Sequence, residues 1–310
     1  TQYGGNNTII TWEDGRNGNI DAYYQILNSS GNGTLTDDGV SACTGDWQII
    51  KPRVKAGNAV AYIIWEDRRN GWTSDIYAQK INSDGSIAWV ENGLEITTSD
   101  GSQTEPRLTT DGVGGVYFIW EDQRNSTTSG IDIYAQHVNS SGSITHNSNG
   151  ELICDAENLQ FNPLVRNDGS GGAIIVWGDQ RSGGSFGMYL QHLISSGTTL
   201  TVNGVESFFG IGTDAANEPH EHGAVYLEND KALVYWVDNR EADPKIYGTL
   251  ISSSYNGLSQ DYYTNYPYGL QLSTLELPQE LPKAILAGNK IFLSFQVEES
   301  PNENLYSQRL

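Results

Sequence analysis

Short runs of alternating or continuous apolar residues, such as "AVAYIIW", "GVYFIW" and "GAIIVW", recur along the chain, each ending on tryptophan. They are too short and too β-branched for helices and predict strands. Trp12, Trp65, Trp120, Trp177 and Trp236 follow one another at intervals of 53, 55, 57 and 59 residues, and Phe295 comes 59 later, which makes six units. A tyrosine in a second apolar stretch follows each after 11 to 14 residues, at Tyr23, Tyr77, Tyr134, Tyr189, Tyr247 and Tyr306.

Units two to six also carry an earlier segment with proline, in "KPRVK", "EPRLT", "NPLVR", "EPHEH" and "LPKAI", where proline suits the first residue of a strand or an edge strand. After the tyrosine strand, turns such as "NSDGS" and "NSSGS" lead to a fourth stretch such as "NGLEIT". Each repeat therefore predicts four antiparallel strands, a to d. Such units at a period of roughly 40 to 60 residues point to an all-β, six-bladed β-propeller of four-stranded blades. The predicted organisation is a single propeller domain over 1–310, with blades near 1–49, 50–104, 105–161, 162–217, 218–280 and 281–310. Unit one lacks a clear strand a and unit six stops just after strand c. Either the strand around Thr1 to Tyr3 closes the ring, or a longer parent protein supplies the missing strands.

The turn after strand b repeats as "WEDGR", "WEDRR", "WEDQR", "WGDQR" and "WVDNR". Its constant members are Trp12, Asp14 and Arg16; Trp65, Asp67 and Arg69; Trp120, Asp122 and Arg124; Trp177, Asp179 and Arg181; and Trp236, Asp238 and Arg240. A catalytic site needs one asymmetric constellation, whereas this set repeats with the blades. It is therefore read as a structural clasp, in which a short Asp caps the turn and Arg forks onto it and stacks over an aromatic ring.

Composition moves the search for function elsewhere. With 38 acidic against 17 basic residues the formal charge is -21, which disfavours nucleic acid and anionic membranes as partners. No apolar run is long enough to insert into a bilayer. The basic residues gather on strand a, the strand predicted to line a central channel. Arg53, Lys55, Arg107, Arg166, His220, His222 and Lys283 form a candidate anion site there, for a carboxylate, a sulfate or an acidic sugar. The competing reading pairs each cation with an acid on a neighbouring blade. His220 and His222, spaced His-x-His on a strand, are the candidates for a metal; His137 and His192 share one strand-c position and are assigned to packing. No cofactor is expected, with structural calcium at the turns left open. The tyrosine-rich stretch with Tyr255, Tyr262, Tyr263, Tyr266 and Tyr268 is a candidate contact patch. Cys43 and Cys154 fall in the first and third repeats, too far apart for a predicted disulfide.

The repeat "W-x-D-x-R…DIYAQ…N-S-x-G…NG" resembles the propeller repeats of large secreted and cell-surface proteins of bacteria. That resemblance implies an extracellular or surface-attached propeller and no particular reaction. The expected function is accordingly a non-catalytic binding or adhesion module, or a structural subunit of a surface assembly. Its partner would be a protein or glycan at the cell surface, or copies of itself. The enzymatic alternative is a sialidase-like glycosidase or a lyase acting on an acidic glycan. Arg53, Arg107 and Arg166 suit it, while the S-x-D-x-G-x-x-W box of sialidases is missing, since "SDGSIAW" has Asp84 and Gly85 adjacent.

Overall fold

The computed structural model describes residues 1–57, 59–181, 187–195, 201–202, 205–206, 209–210, 220–227, 231–238, 243–252, 270–273, 275, 277–287, 290–299 and 302–310. Among these there is no helix, and every element is a strand. The chain divides into two compact units, Thr1–Asp155 and Ala156–Leu310.

The first unit holds three antiparallel sheets. Strands β1 (Gln2–Tyr3), β2 (Asn7–Asp14), β3 (Asp21–Leu27) and β4 (Val40–Cys43) lie in chain order in the first. β5 (Ile49–Ala56), β6 (Val60–Asp67), β7 (Asp75–Asn82) and β8 (Leu94–Thr97) form the second. β9 (Gln103–Thr110), β10 (Val116–Asp122), β11 (Gly130–Val138) and β12 (Glu151–Cys154) pair in the same order in the third. The terminal strand β1 thus supplies the first position of its own sheet, pairing Gln2 with Thr8 and Tyr3 with Asn7.

In the second unit β13 (Asn158–Asn167), β14 (Ala173–Asp179) and β15 (Gly187–Leu193) pair consecutively. A small hairpin of β16 (Thr201–Val202) and β17 (Val205–Glu206) follows, and β18 (Phe209–Gly210) returns to pair with β15. β19 (His220–Leu227), β20 (Lys231–Asp238), β21 (Lys245–Ser252) and β22 (Leu270–Gln271) make a four-stranded sheet. β23 (Gln279–Ala287), β24 (Lys290–Glu299) and β25 (Asn302–Arg309) make a three-stranded one.

Within each unit successive sheets pack face to face, because the tryptophan strand is apolar on both faces. Trp65 and Ile63 share a cluster with Tyr24 and Ile9 of the sheet before, whereas Tyr62 and Ile64 share one with Phe118 and Trp120 of the sheet after. In the second unit Trp236 packs with Val176, and Tyr235 with Leu293 and Phe295. Trp65, Trp120, Trp177 and Trp236 are fully buried, so truncating any one to alanine costs about 3–5 kcal/mol.

Among the described residues, the turns after Trp12, Trp65, Trp120 and Trp177 share one set of side-chain bonds. Trp65 Nε1 donates to Asp67 Oδ2 at 2.9 Å, while the Arg69 N–H and Nε bind Asp67 Oδ1 at 2.9 and 2.8 Å. Arg69 stacks over Tyr77 at 3.8 Å and donates to the Asn92 carbonyl at 2.7 Å, which ties the second turn of the repeat to the first. The same indole and guanidinium bonds recur at Trp12, Asp14 and Arg16; at Trp120, Asp122 and Arg124; and at Trp177, Asp179 and Arg181. Arg240 and the side chain of Asp238 lie outside the described residues. The asparagine after the arginine extends the clasp: Asn17, Asn70 and Asn125 donate to Asp21, Asp75 and Asp132, the residues that open or precede each tyrosine.

One expectation is corrected. Proline does not open strand a; Pro52 and Pro106 sit inside β5 and β9, at a bulge where the pairing slips between Ile50 and Arg53 and between Thr104 and Arg107. The residue before proline takes a left-handed conformation, at Lys51 (φ 54), Glu105 (φ 51), Asn162 (φ 51) and Leu281 (φ 51). A bulge leaves one residue out of the ladder, so the N–H that proline lacks is not needed there. Cys43 and Cys154 are buried and are not joined in a disulfide.

Candidate functional site

The bulges bring charged side chains of neighbouring strands together. Glu66, on the tryptophan strand of the second sheet, accepts the N–H of Glu105 at 3.0 Å, and Glu13 of the first sheet accepts that of Lys51 at 2.7 Å. The glutamate of the "WED" turns, which the clasp leaves unused, therefore satisfies the N–H exposed by the next sheet's bulge. Lys51 Nζ lies 3.0 Å from Glu66 Oε1 and 2.5 Å from Glu105 Oε1. Glu105 Oε2 in turn lies 3.1 Å from Arg107 Nη1 and 3.7 Å from Arg53 Nη2.

Three cations, Lys51, Arg53 and Arg107, thus converge on Glu105, with Glu66 behind. Burial would raise the carboxyl of Glu105, but Lys51 and Arg107 outweigh it and hold it below the ordinary glutamate range. Burial would likewise lower Lys51, yet its two carboxylates hold it above the ordinary lysine value. Arg53 is the exception. Burial and then the charge of Arg107 pull it down, its Nε is shut off from water with no hydrogen-bond partner, and its carboxylate contact is longer than a hydrogen bond. Its side chain is still 41% exposed, so an incoming anion can reach it.

The other predicted site residues are distributed as follows. Lys55 lies two residues beyond Arg53 on β5, paired in register with Tyr62. Arg166 is on β13 of the second unit, where burial lowers it and its Nη1 donates to the Val165 carbonyl at 2.8 Å. Lys283 is exposed on β23, opposite Ser294. His220 and His222 lie in β19 with a register slip between them, so plain strand alternation does not hold there; their side chains are outside the described residues. Tyr255, Tyr262, Tyr263, Tyr266 and Tyr268 are outside them as well. Among the described residues no group of three or more His, Cys, Asp or Glu could hold a metal.

His137 and His192 do more than fill space. His137 Nε2 is 3.0 Å from Asp111 Oδ2, and His192 Nε2 is 2.7 Å from Asp168 Oδ2, while Asp111 and Asp168 each cap a hairpin by accepting two backbone N–H groups. Sequence reasoning missed Glu13, Glu66 and Glu105 as partners and left Lys51 out of the site. The signal available was the repeated pre-proline position, read as strand start rather than bulge.

No protein-family model matches the chain, and no curated protein matches it. Solved structures do. An ulvan lyase of a new polysaccharide lyase family is 10% identical with a TM-score of 0.58, covering 87% of this chain and 72% of that one. The same type of lyase bound to GlcA(1-4)Rha3S is 11% identical with a TM-score of 0.56 over the same shares. An α-L-arabinanase of Penicillium chrysogenum complexed with arabinobiose is 13% identical with a TM-score of 0.51, covering 84% and 81%. These similarities overturn the expected non-catalytic adhesion module or structural subunit: the fold shared with this chain is one on which glycan-cleaving enzymes are built.

Proposed function

We propose that the chain is a six-bladed propeller enzyme, acting outside the cell, that cleaves an acidic polysaccharide whose carboxylate or sulfate is seated on Arg53 and Arg107. The repeat count and the face-to-face sheets of each unit support the propeller, and the solved lyase and arabinanase folds support glycan cleavage. The observation that carries the site is Arg53: a guanidinium disfavoured by burial and by the charge of Arg107, with no acceptor in hydrogen-bonding range among the described residues. The exposed end of this guanidinium, met by Glu105 only at 3.7 Å, gains a charge-assisted pair from an incoming anion.

The electrostatics favour a lyase over a glycosidase. Neutralising the carboxylate of a uronic acid acidifies the adjacent C–H, which is the step that β-elimination requires. A glycosidase instead needs a carboxyl held protonated beside the bound sugar, and Glu105, the carboxylate that touches these arginines, is held ionised. The test is to incubate the protein with ulvan, alginate and polygalacturonate while following both reducing ends and the ultraviolet absorbance of an unsaturated product. Both signals rising together, and both lost in Arg53→Ala and Arg107→Ala, are the expected result. Reducing ends without absorbance would make it a glycosidase, and neither signal on any substrate would overturn the reading.

A further inference from the structure

We infer that Trp72 is a sugar-stacking platform that holds the polysaccharide chain beside the Arg53 and Arg107 site; this rests on the function proposed above. Trp72 is 96% exposed, on the turn between β6 and β7. A bare indole leaves a large apolar face in water, which a partner would cover with a gain in free energy. The turn itself does not need the indole. Its geometry is set by Asp67, Arg69 and Asn70, and the same geometry forms at "RNGN" in the first sheet, where the position after the glycine is Asn19.

The placement of the turn points to that partner. Ile49, Asp67 and Asp75 mark one end of the second sheet in register, and Lys51, Arg53 and Glu66 lie within a few residues of that end. The turn is moored to the segments that feed both arginine strands. Arg68 N–H and Nη1 donate to Gln48 O and Oε1 at 3.0 and 2.9 Å, just before β5, and the Ser74 carbonyl accepts from Gln103 N–H at 2.6 Å, where β9 begins. Trp72 therefore stands on a braced support between the approaches to Arg53 and Arg107. Its Cα lies within about 20 Å of that of Glu66 along the chain. A flat apolar ring with an N–H at its rim suits the C–H face of a pyranose and one of its hydroxyls. A polysaccharide anchored by its acid group at the arginines would extend past this turn, so the occupant is a further sugar ring of the same chain.

The experiment is affinity electrophoresis of the wild type, Trp72→Ala, Trp72→Phe and Arg107→Gln through gels containing ulvan, alginate, polygalacturonate or neutral arabinan, with near-ultraviolet circular dichroism confirming that each variant is folded. Trp72→Ala should bind the retarding acidic polymer roughly ten-fold more weakly, with Trp72→Phe between it and the wild type. If Arg107→Gln loses retardation while Trp72→Ala migrates as the wild type does, the platform is overturned and the acidic-glycan site stands. If Trp72→Ala loses retardation, in arabinan included, while Arg107→Gln keeps it, the platform stands and the acidic site falls. A wild type retarded by none of the four overturns both. Concentration-dependent self-association abolished by Trp72→Ala, without retardation, would make the indole an interface between copies.

Discussion

Glu66 and Glu105, 39 residues apart, are joined by a hydrogen bond in which the buried carboxylate of one accepts the backbone N–H of the other at 3.0 Å. The like charges tolerate each other because Lys51 sits between them, and this one contact fastens two sheets together while placing Glu105 against the arginine pair. Structure and candidate chemistry meet in the same bond. Glu66→Ala strands the Glu105 N–H and removes one of the two carboxylates of Lys51, and should lower unfolding free energy by about 2–4 kcal/mol, read from urea denaturation. Glu66→Gln keeps an acceptor and should cost less.

Arg53 and Arg107 should part company on stability. Arg53 is disfavoured by burial and by its neighbour's charge, so Arg53→Gln should leave the thermal midpoint unchanged or raise it while abolishing activity on acidic glycans. Arg107→Gln removes a 3.1 Å partner of Glu105 and should lower both. A fall in midpoint for Arg53→Gln as large as for Arg107→Gln would make the cluster purely structural.

The clasp aspartates should be costly to change where they are buried. Asp67 and Asp122 have no exposed side-chain surface and each holds an indole and a guanidinium. Asp67→Asn and Asp122→Asn should each lose about 2–3 kcal/mol by chemical denaturation. Asp14→Asn, in a turn more open to water, should lose less.

His146 should make stability fall in mild acid. Burial, reinforced by His137 nearby, lowers it from the ordinary histidine value to about 4. The unfolded chain then binds a proton that the folded one refuses, so this contribution is complete above the unfolded value of about 6.5 and is lost as pH falls from there towards 4. His146→Phe should flatten the melting temperature across that window. Asp168 acts lower. Burial would raise it, but bonds from His192, Ser170 and Gly172 hold it at about 2, so its contribution is intact above about 4 and disappears between there and 2. Asp168→Asn should remove that second loss.

The strands, their order and the clasp were legible because they depend on local periodicity. Trp65, Asp67, Arg69 and Tyr77 lie within 13 residues of chain, and a repeat announces them five times over. The bulge was not legible. Proline before an arginine reads equally as a strand start, and only the pairing register of β5 with β6 shows Lys51 turned out of the ladder. The cation cluster on strand a was visible as composition, but its carboxylate partners were not, since Glu66 and Glu105 come from different sheets. The failed expectation of a non-catalytic module has the same source. Repeats report on what holds a scaffold together, and a site grafted onto it need not repeat.

By itself, then, the amino-acid sequence determined the all-β class, the unit length and the clasp, because strand alternation and turn chemistry are set by residues a few positions apart. Only the tertiary structure decided that Glu105 neutralises three cations unequally and leaves Arg53 short of an acceptor, and that Trp72 stands bare on a turn braced to both arginine strands. Electrostatics and solvent exposure depend on distances between residues far apart in the chain, which folding alone sets.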